Sequence, residues 1–143
     1  MRFLFVICVL TLLAGCQSVD FKKDEAKGVQ FLRGSMQEAM QQAQSKNKLI
    51  FLDFYAEWCS YCKKMKQVTF SDPTCGEYMN SKFVNMTVDA EKGEGQTLAG
   101  RYQIRSFPAY VILSPDGQLL AQGGGYKEVP EFITWLQTVL PKK

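Results

Sequence analysis

The chain of 143 residues contains no histidine. This absence excludes nucleophilic sites that pair serine or cysteine with histidine, zinc sites with histidine ligands, and a haem held by a proximal histidine. An imidazole pH switch is excluded for the same reason. Any proton transfer must therefore use a carboxylate, a lysine, a tyrosine, a cysteine or water.

The sequence also lacks a block of like charges. Its net charge is +3, and its 17 lysines and arginines are spread along the chain, so we expect no nucleic-acid partner. Hydrophobic residues make up 46% of the chain, which excludes an intrinsically disordered protein. The length fits one domain with short appendages.

The N-terminus lacks an apolar run that is long enough to cross a bilayer. The run after Arg2 covers only residues 3–14, whereas a spanning helix needs about 20 residues. A short run after a basic start is typical of a secretory signal. It ends at residues 13–16 in LAGC, which resembles the bacterial lipobox and predicts cleavage before a lipidated Cys16. The alternatives are an ordinary signal peptide with a chance cysteine, or an uncleaved anchor.

We therefore divide the chain into three parts. Residues 1–15 are the expected signal peptide, residues 16–28 a lipidated Cys16 with a polar tether, and residues 29–143 the folded domain. Multiple acyl chains anchor a protein stably to a membrane. Gln17 stands where an Asp would resemble an inner-membrane retention signal. This favours the outer membrane, with the domain facing the periplasm of the cell envelope.

Strand and helix patterns alternate along the domain. The sequence predicts strands at 29–31, 48–55, 82–89, 109–113 and 118–122, and helices at 35–45, 60–70 (resuming to 79), 94–102 and 130–140. This order indicates the α/β class, with a central mixed β-sheet flanked by helices on both faces.

Two cysteines, Cys59 and Cys62, lie three residues apart, directly after a predicted strand and at the start of a predicted helix. A helix N-terminus favours the thiolate of the first cysteine, and the second can then attack a mixed disulfide. The setting favours dithiol redox chemistry. A structural disulfide is the plain alternative, and a Cu(I) site that uses Met65 is another.

The total of five cysteines is odd, so they cannot all pair within the chain. Cys8 lies in the expected signal peptide and Cys16 in the lipobox, which leaves Cys75 outside the CxxC pair. We expect Cys75 to be a partly buried free thiol. The alternative is a third redox thiol.

Two separate motifs resemble the thioredoxin family. Residues 53–63, DFYAEWCSYCK, resemble its active-site segment, and residues 104–109, IRSFPA, are similar to its segment with a cis-proline. Residues 69–73, TFSDP, resemble the C-terminal thioredoxin-like domain of the membrane reductase DsbD. The resemblance covers residues 29–140 and implies the thioredoxin fold.

The resemblance also implies roles for individual residues. Cys59 is expected to be the exposed nucleophile and Cys62 the resolving thiol. Asp53, in an apolar run, is expected to have a raised pKa and to accept the proton of Cys62; a strand-end Asp bonded to backbone is the alternative. Glu57 is a weaker candidate for the same proton relay.

A second group of residues is expected to bind substrate. Pro108 would hold a cis peptide that exposes the backbone of Phe107 to a substrate peptide, unless it is a trans proline that starts an edge strand. Trp58 is expected to cover the rim of the active site and Tyr61 to contact the partner. The alternative for both aromatic residues is that they only pack within the fold.

Together these features predict a lipid-anchored thiol–disulfide oxidoreductase that reduces protein disulfides and acts as a monomer. The dithiol serves as the cofactor, no metal is expected, and a DsbD-like membrane reductase is the expected electron donor. The sequence departs from thioredoxin at Ser60-Tyr61, where thioredoxin has Gly-Pro, and at Asn85, near a family lysine. An oxidase or isomerase using the same site, a Cu(I) carrier and a non-catalytic binding module remain the alternatives.

Overall fold

The computed structural model describes residues 19–140. Five strands alternate with helices in the predicted order. The strands are β1 (Phe31–Leu32), β2 (Leu49–Tyr55), β3 (Phe83–Asp89), β4 (Ala109–Leu113) and β5 (Leu119–Gly124). The helices are α1 (Met36–Lys46), α2 (Ser60–Lys64), α3 (Pro73–Lys82), α4 (Glu94–Arg101) and α5 (Val129–Val139), and a π-helical turn, Met65–Thr69, follows α2 directly.

The strands form one mixed sheet in the order β1-β3-β2-β4-β5. Strand β3 pairs in parallel with β1 and β2, whereas β4 pairs antiparallel with β2 and β5. The predicted thioredoxin fold, with a central mixed sheet and flanking helices, is confirmed. The central strand β2 points its carboxyl end at the start of α2.

Alternate residues of β2 face two separate hydrophobic cores, because successive side chains of a strand point to opposite faces. Leu52 and Phe54 belong to the core that contains Ala39 of α1 and Leu98 of α4. On the opposite face, the ring of Phe51 packs against that of Phe132 in α5, with 5.8 Å between their centres. Burying each such side chain contributes about 1.5–3 kcal/mol, so β2 is held firmly from both sides.

The predicted helix over residues 60–70 differs from the observed structure. It is α-helical only to Lys64, and the next turn is π-helical, because the Phe70 amide donates to the Met65 carbonyl at 2.8 Å. The hydroxyl of Thr69 donates to the Lys127 carbonyl at 2.5 Å. Asp72 then caps α3 by accepting from the Thr74 and Cys75 amides.

The prediction of a polar tether over residues 16–28 is wrong from residue 19 onwards. Phe21 is buried, and its ring stacks on Tyr55 with 4.0 Å between ring centres. Asp24 forms ion pairs with Arg33 at 2.6 Å and with Lys66 at 2.8 Å. Residues 19–28 are therefore part of the folded unit, and we call them the N-terminal segment.

The expected signal peptide over residues 1–15 and the expected lipidation at Cys16 lie outside the described residues. Among the helices of residues 19–140, none is long and apolar enough to cross a membrane.

Candidate functional site

Cys59 and Cys62 form a disulfide at the junction of β2 and α2, with 5.3 Å between their Cα atoms. Cys59 is the N-cap of α2, and its sulfur accepts a hydrogen bond from the Cys62 amide at 3.1 Å. An amide that donates to this sulfur also stabilises a thiolate there after reduction. The local geometry thus favours Cys59 as the reactive thiolate of the pair.

The exposure of the two cysteines differs from the expectation. Cys59 is only 5% exposed and Cys62 3%, so the prediction of a well-exposed nucleophile is wrong for this oxidised structure. The cause is a small apolar cluster in which the disulfide packs with buried Phe21, Tyr55 and Ala56. The N-terminal segment therefore contributes directly to the surroundings of the disulfide.

A loop with a cis peptide borders this cluster. The peptide bond between Phe107 and Pro108 is cis, and Phe107 packs against the cluster that holds the disulfide. The Pro108 carbonyl accepts from the Gly125 amide at 2.9 Å. A Cβ atom at Gly124 would lie 2.9 Å from the same carbonyl oxygen, so the loop and the end of β5 approach each other closely.

Aromatic side chains form an exposed rim around the disulfide. Trp58 is 67% exposed and Tyr61 61%. The Trp58 ring meets that of Phe107 edge-on at 5.9 Å, and its indole N–H donates to Glu91 at 2.8 Å. These contacts orient Trp58 without burying it, as a binding surface requires.

One rim residue was missed by sequence reasoning. Tyr126 stacks on Tyr61 at 6.3 Å, and the Lys64 ammonium lies 4.1 Å from the centre of its ring. Tyr126 follows a run of three glycines at the end of β5, and the sequence carries no signal that this part of the chain returns to α2. The rim therefore draws on three separate parts of the chain.

Asp53 occupies β2 between Thr87 of β3 and Tyr110 of β4. It is buried, and its Oδ1 has no hydrogen-bond partner within residues 19–140. Burial raises its pKa to about 7, an effect that the charge of Lys66 partly opposes. Because this pKa lies near neutrality, the carboxylate suits both release and uptake of a proton.

Glu57 does not share this environment. Its carboxylate is exposed and accepts from the Lys92 ammonium at 2.8 Å. This hydrogen bond holds the pKa of Glu57 below its usual value, so the group stays ionised at neutral pH. The structure thus gives Glu57 a surface ion pair and leaves Asp53 as the buried carboxyl of the site.

Asn85 is buried, and its side-chain amide donates to the Gln30 carbonyl at 3.3 Å and to Asn80 Oδ1 at 3.1 Å. It brings no charge to Asp53. The cation that acts on Asp53 is Lys66, in the π-helical turn.

Cys75 and Met65 lie inside the second core rather than at the rim. Cys75 is fully buried, and burial raises the pKa of its thiol to about 12. The sulfur of Met65 accepts from the Lys127 amide at 3.4 Å. These surroundings are those of structural core residues.

Comparison with known proteins agrees with this geometry. A family described as the thioredoxin-like domain matches residues 36–140. The chain is 38% identical over 78 residues to thioredoxin-1 of Drosophila melanogaster, covering 54% of this chain and 68% of the relative. It is 29% identical over 83 residues to the thiol:disulfide interchange protein DsbD of Pseudomonas fluorescens, covering 57% of this chain. The match spans only 14% of that much longer DsbD protein.

Solved structures give the same result. A thioredoxin from Thermus thermophilus superposes with a TM-score of 0.69 at 28% identity, covering 78% of this chain and 87% of its own. The oxidised C-terminal domain of DsbD from Neisseria meningitidis superposes with a TM-score of 0.62 at 26% identity, covering 78% and 99%. With its CxxC pair joined at the start of α2, the chain belongs to the thioredoxin-like domain family.

Proposed function

We propose that this protein is a lipid-anchored periplasmic reductase of protein disulfides. The observation that carries the proposal is the Cys59–Cys62 pair, which caps α2, at the carboxyl end of the strand that bears the buried Asp53. This arrangement supplies a stabilised thiolate, a second thiol in reach and a nearby candidate base.

The reaction begins with the reduced pair. The Cys59 thiolate attacks one sulfur of a substrate disulfide, which forms a mixed disulfide and releases the first substrate thiolate. Cys62 then loses its proton and attacks the sulfur of Cys59, which releases the second substrate thiolate. Two electrons pass to the substrate, its two thiolates take up the proton released by Cys62 and one proton from water, and the Cys59–Cys62 disulfide seen in the structure is the product state.

Asp53 is the candidate acceptor for the proton of Cys62. Its Oδ1 is free of hydrogen bonds among the described residues, so proton uptake there breaks no hydrogen bond. A general base is most effective when its pKa lies near the working pH, and burial gives Asp53 such a value. Lys66 opposes the effect of burial and keeps part of the carboxyl ionised.

Four residues are proposed to hold the substrate. Trp58 and Tyr61 offer exposed aromatic faces on either side of the first cysteine. Phe107 and Pro108 form the cis-peptide loop beside the disulfide, where a substrate backbone can pair as an added strand. The site acts from a single chain, so we propose a monomer.

The cellular setting follows from the N-terminal motif and from the relatives. Residues 13–16 resemble a lipobox, and DsbD proteins are named as thiol:disulfide interchange proteins. We propose that Cys16 carries the lipid, that the outer membrane is its site, and that a DsbD-like membrane reductase re-reduces the pair. The dithiol itself is the cofactor, and no metal takes part.

Reduction of insulin by the purified protein, with dithiothreitol as the electron source, tests this proposal. Cys59→Ala should lower the rate by at least about 100-fold, because the attacking sulfur is lost. The matched control is Cys75→Ala, which removes a cysteine from the core and should leave the rate unchanged. Insulin reduction that persists in Cys59→Ala would refute the redox assignment.

A further inference from the structure

The N-terminal segment, residues 19–28, lies against the redox site. Phe21 belongs to the apolar cluster that contains Cys59 and Cys62, and the partly buried Val19 packs against it. Phe21 also stacks on Tyr55, the last residue of the strand that leads to the active-site helix. The described residues thus begin on the face of the domain that carries the Cys59–Cys62 disulfide, which we call the redox face.

Ion pairs fix this segment in place. Asp24 accepts from Arg33 at 2.6 and 2.7 Å, from Lys66 at 2.8 Å and from the Phe31 amide at 2.8 Å. Arg33 also donates to the Phe21 carbonyl at 2.9 Å. A segment held by so many charged hydrogen bonds does not act as a flexible spacer.

The distance from the lipid attachment point to the redox face is therefore short. Cys16 and Val19 are separated by three peptide units, and neighbouring Cα atoms lie at most 3.8 Å apart, which limits the whole span to about 11 Å. If residues 19–28 were a flexible tether, the domain could take any orientation relative to the membrane. With residue 19 fixed, the anchor places the redox face toward the membrane.

A cleft lies between the segment and the active-site helix. It has a volume of about 330 Å³, and Val19, Phe21, Tyr55, Lys22, Lys63 and Glu57 are among its lining residues. Charges of both signs and apolar groups meet there. An anionic lipid surface would select for basic residues alone, whereas a protein segment matches a mixed lining.

We propose that the N-terminal segment holds the redox face at the membrane surface, where the cleft and rim receive a protein partner embedded in that membrane. This inference rests on the lipid anchor and the dithiol chemistry of the proposed function. The partner's disulfide lies close to the bilayer surface, and the Cys59 thiolate attacks it to form a mixed disulfide. Cys62 resolves this intermediate, which leaves the partner reduced to two thiols and the Cys59–Cys62 pair oxidised. Proteins dissolved in the periplasm reach the face poorly while the anchor is short.

The test lengthens the anchor without changing the site. A flexible 20-residue Gly-Ser insertion between Ser18 and Val19 adds a mean span of about 25 Å and lets the domain turn. The matched control carries the same insertion between Asp116 and Gly117, in the β4–β5 turn at the opposite end of the sheet. Full-length lipidated proteins are reduced, bound to phospholipid vesicles, and mixed with insulin as the soluble oxidant.

On vesicles, the Ser18–Val19 insertion should oxidise at least threefold faster with insulin than the natural chain or the control insertion. In detergent, all three should react at one rate. In cells, a Cys62→Ala trap on the natural anchor should capture integral membrane proteins. The same trap with the long anchor should lose most of those adducts and gain soluble ones.

The outcomes separate this inference from the function on which it rests. If the peptide that contains Cys16 carries no acyl chains, the protein has no lipid anchor, and both the lipid-anchored function and this inference are refuted. Insulin activity that is absent in detergent refutes the redox function. Two results overturn this inference alone when the protein is acylated and active. The first is an equal rate with insulin on vesicles for the natural and the lengthened anchor. The second is a Cys62→Ala trap with the natural anchor that captures soluble proteins. Slow reaction with insulin but no membrane-protein adduct means that the face rests on lipid, which also overturns it.

Discussion

At the residue scale, the buried carboxyl of Asp53 is the group whose chemistry depends most on the fold. Its pKa is raised from 3.8 to about 7 by burial in the sheet. The unfolded chain releases this proton near pH 4, whereas the folded chain retains it up to about pH 7. Folding stability therefore falls as the pH rises from 4 to 7, and the loss is constant above that range.

Asp53→Asn should abolish this pH dependence, because the amide does not ionise. We expect the variant to be more stable than the natural protein by roughly 4 kcal/mol at pH 8 and equal to it near pH 3. Urea unfolding of both proteins across this range measures the difference. A difference that stays constant with pH would show that Asp53 has an ordinary pKa in the folded protein.

Cys75 illustrates the opposite case, a thiol that the fold makes inert. It is fully buried, and its pKa is raised to about 12, so almost no thiolate forms at neutral pH. In a Cys59→Ser/Cys62→Ser background, Ellman's reagent should label this thiol only after denaturation. The same background with Cys75→Ala supplies the control. Fast native labelling or a dimer that depends on Cys75 would support the alternative of a third redox thiol.

The sequence allowed prediction of the Cys59–Cys62 pairing and the burial of Asp53 from local patterns, and of the cis peptide at Pro108 from the resemblance of its motif to the thioredoxin family. The catalytic and binding roles of these residues stay predictions. The exposure of Cys59 could not be predicted in this way. It depends on Phe21, which lies 38 positions earlier in a polar stretch without periodicity.

At the scale of elements, the N-terminal segment is the main departure from the predicted organisation. Its composition is that of a tether, but Asp24 forms ion pairs with two cations, and Lys66 lies 42 positions further along the chain. A run of charged residues predicts side chains exposed to solvent as long as the residues that pair with them are unknown. Only the sheet, which brings β1 beside the π-helical turn, places these partners around one carboxylate.

Asp24→Asn should therefore destabilise the protein by about 2 kcal/mol at pH 7, because Arg33 and Lys66 lose a charged acceptor. Burial raises the pKa of Asp24, but the hydrogen bonds from Arg33, Lys66 and the Phe31 amide together outweigh it and hold the pKa below its usual value of 3.8. The natural protein should thus lose this contribution only as the pH falls below about 4. Glu25→Gln, at an exposed neighbour without an ion pair among the described residues, serves as control in chemical denaturation. Equal stability of the two variants at pH 7 would contradict the account.

At the scale of the whole molecule, the mixed sheet with flanking helices was predictable because each element carries its own pattern and the order of elements restricts the topology. The thioredoxin fold was predictable because two motifs resemble those of that family. The mixed sheet and the place of the CxxC pair at the start of a helix agree with these predictions, whereas the strand order β1-β3-β2-β4-β5 comes from the structure. What the order of elements does not determine is the return of Tyr126 to the rim and the close packing of residues 19–28. Both depend on side chains that are far apart in sequence.

The reduction potential of the Cys59–Cys62 pair tests the central proposal, that the protein works as a reductant of protein disulfides. Equilibration of the purified protein with defined mixtures of reduced and oxidised dithiothreitol or glutathione measures it. No histidine lies between the cysteines to stabilise a thiolate further, so we predict a potential of about −270 mV, as in thioredoxin. A potential of about −120 mV, typical of a strong oxidant, would contradict the account.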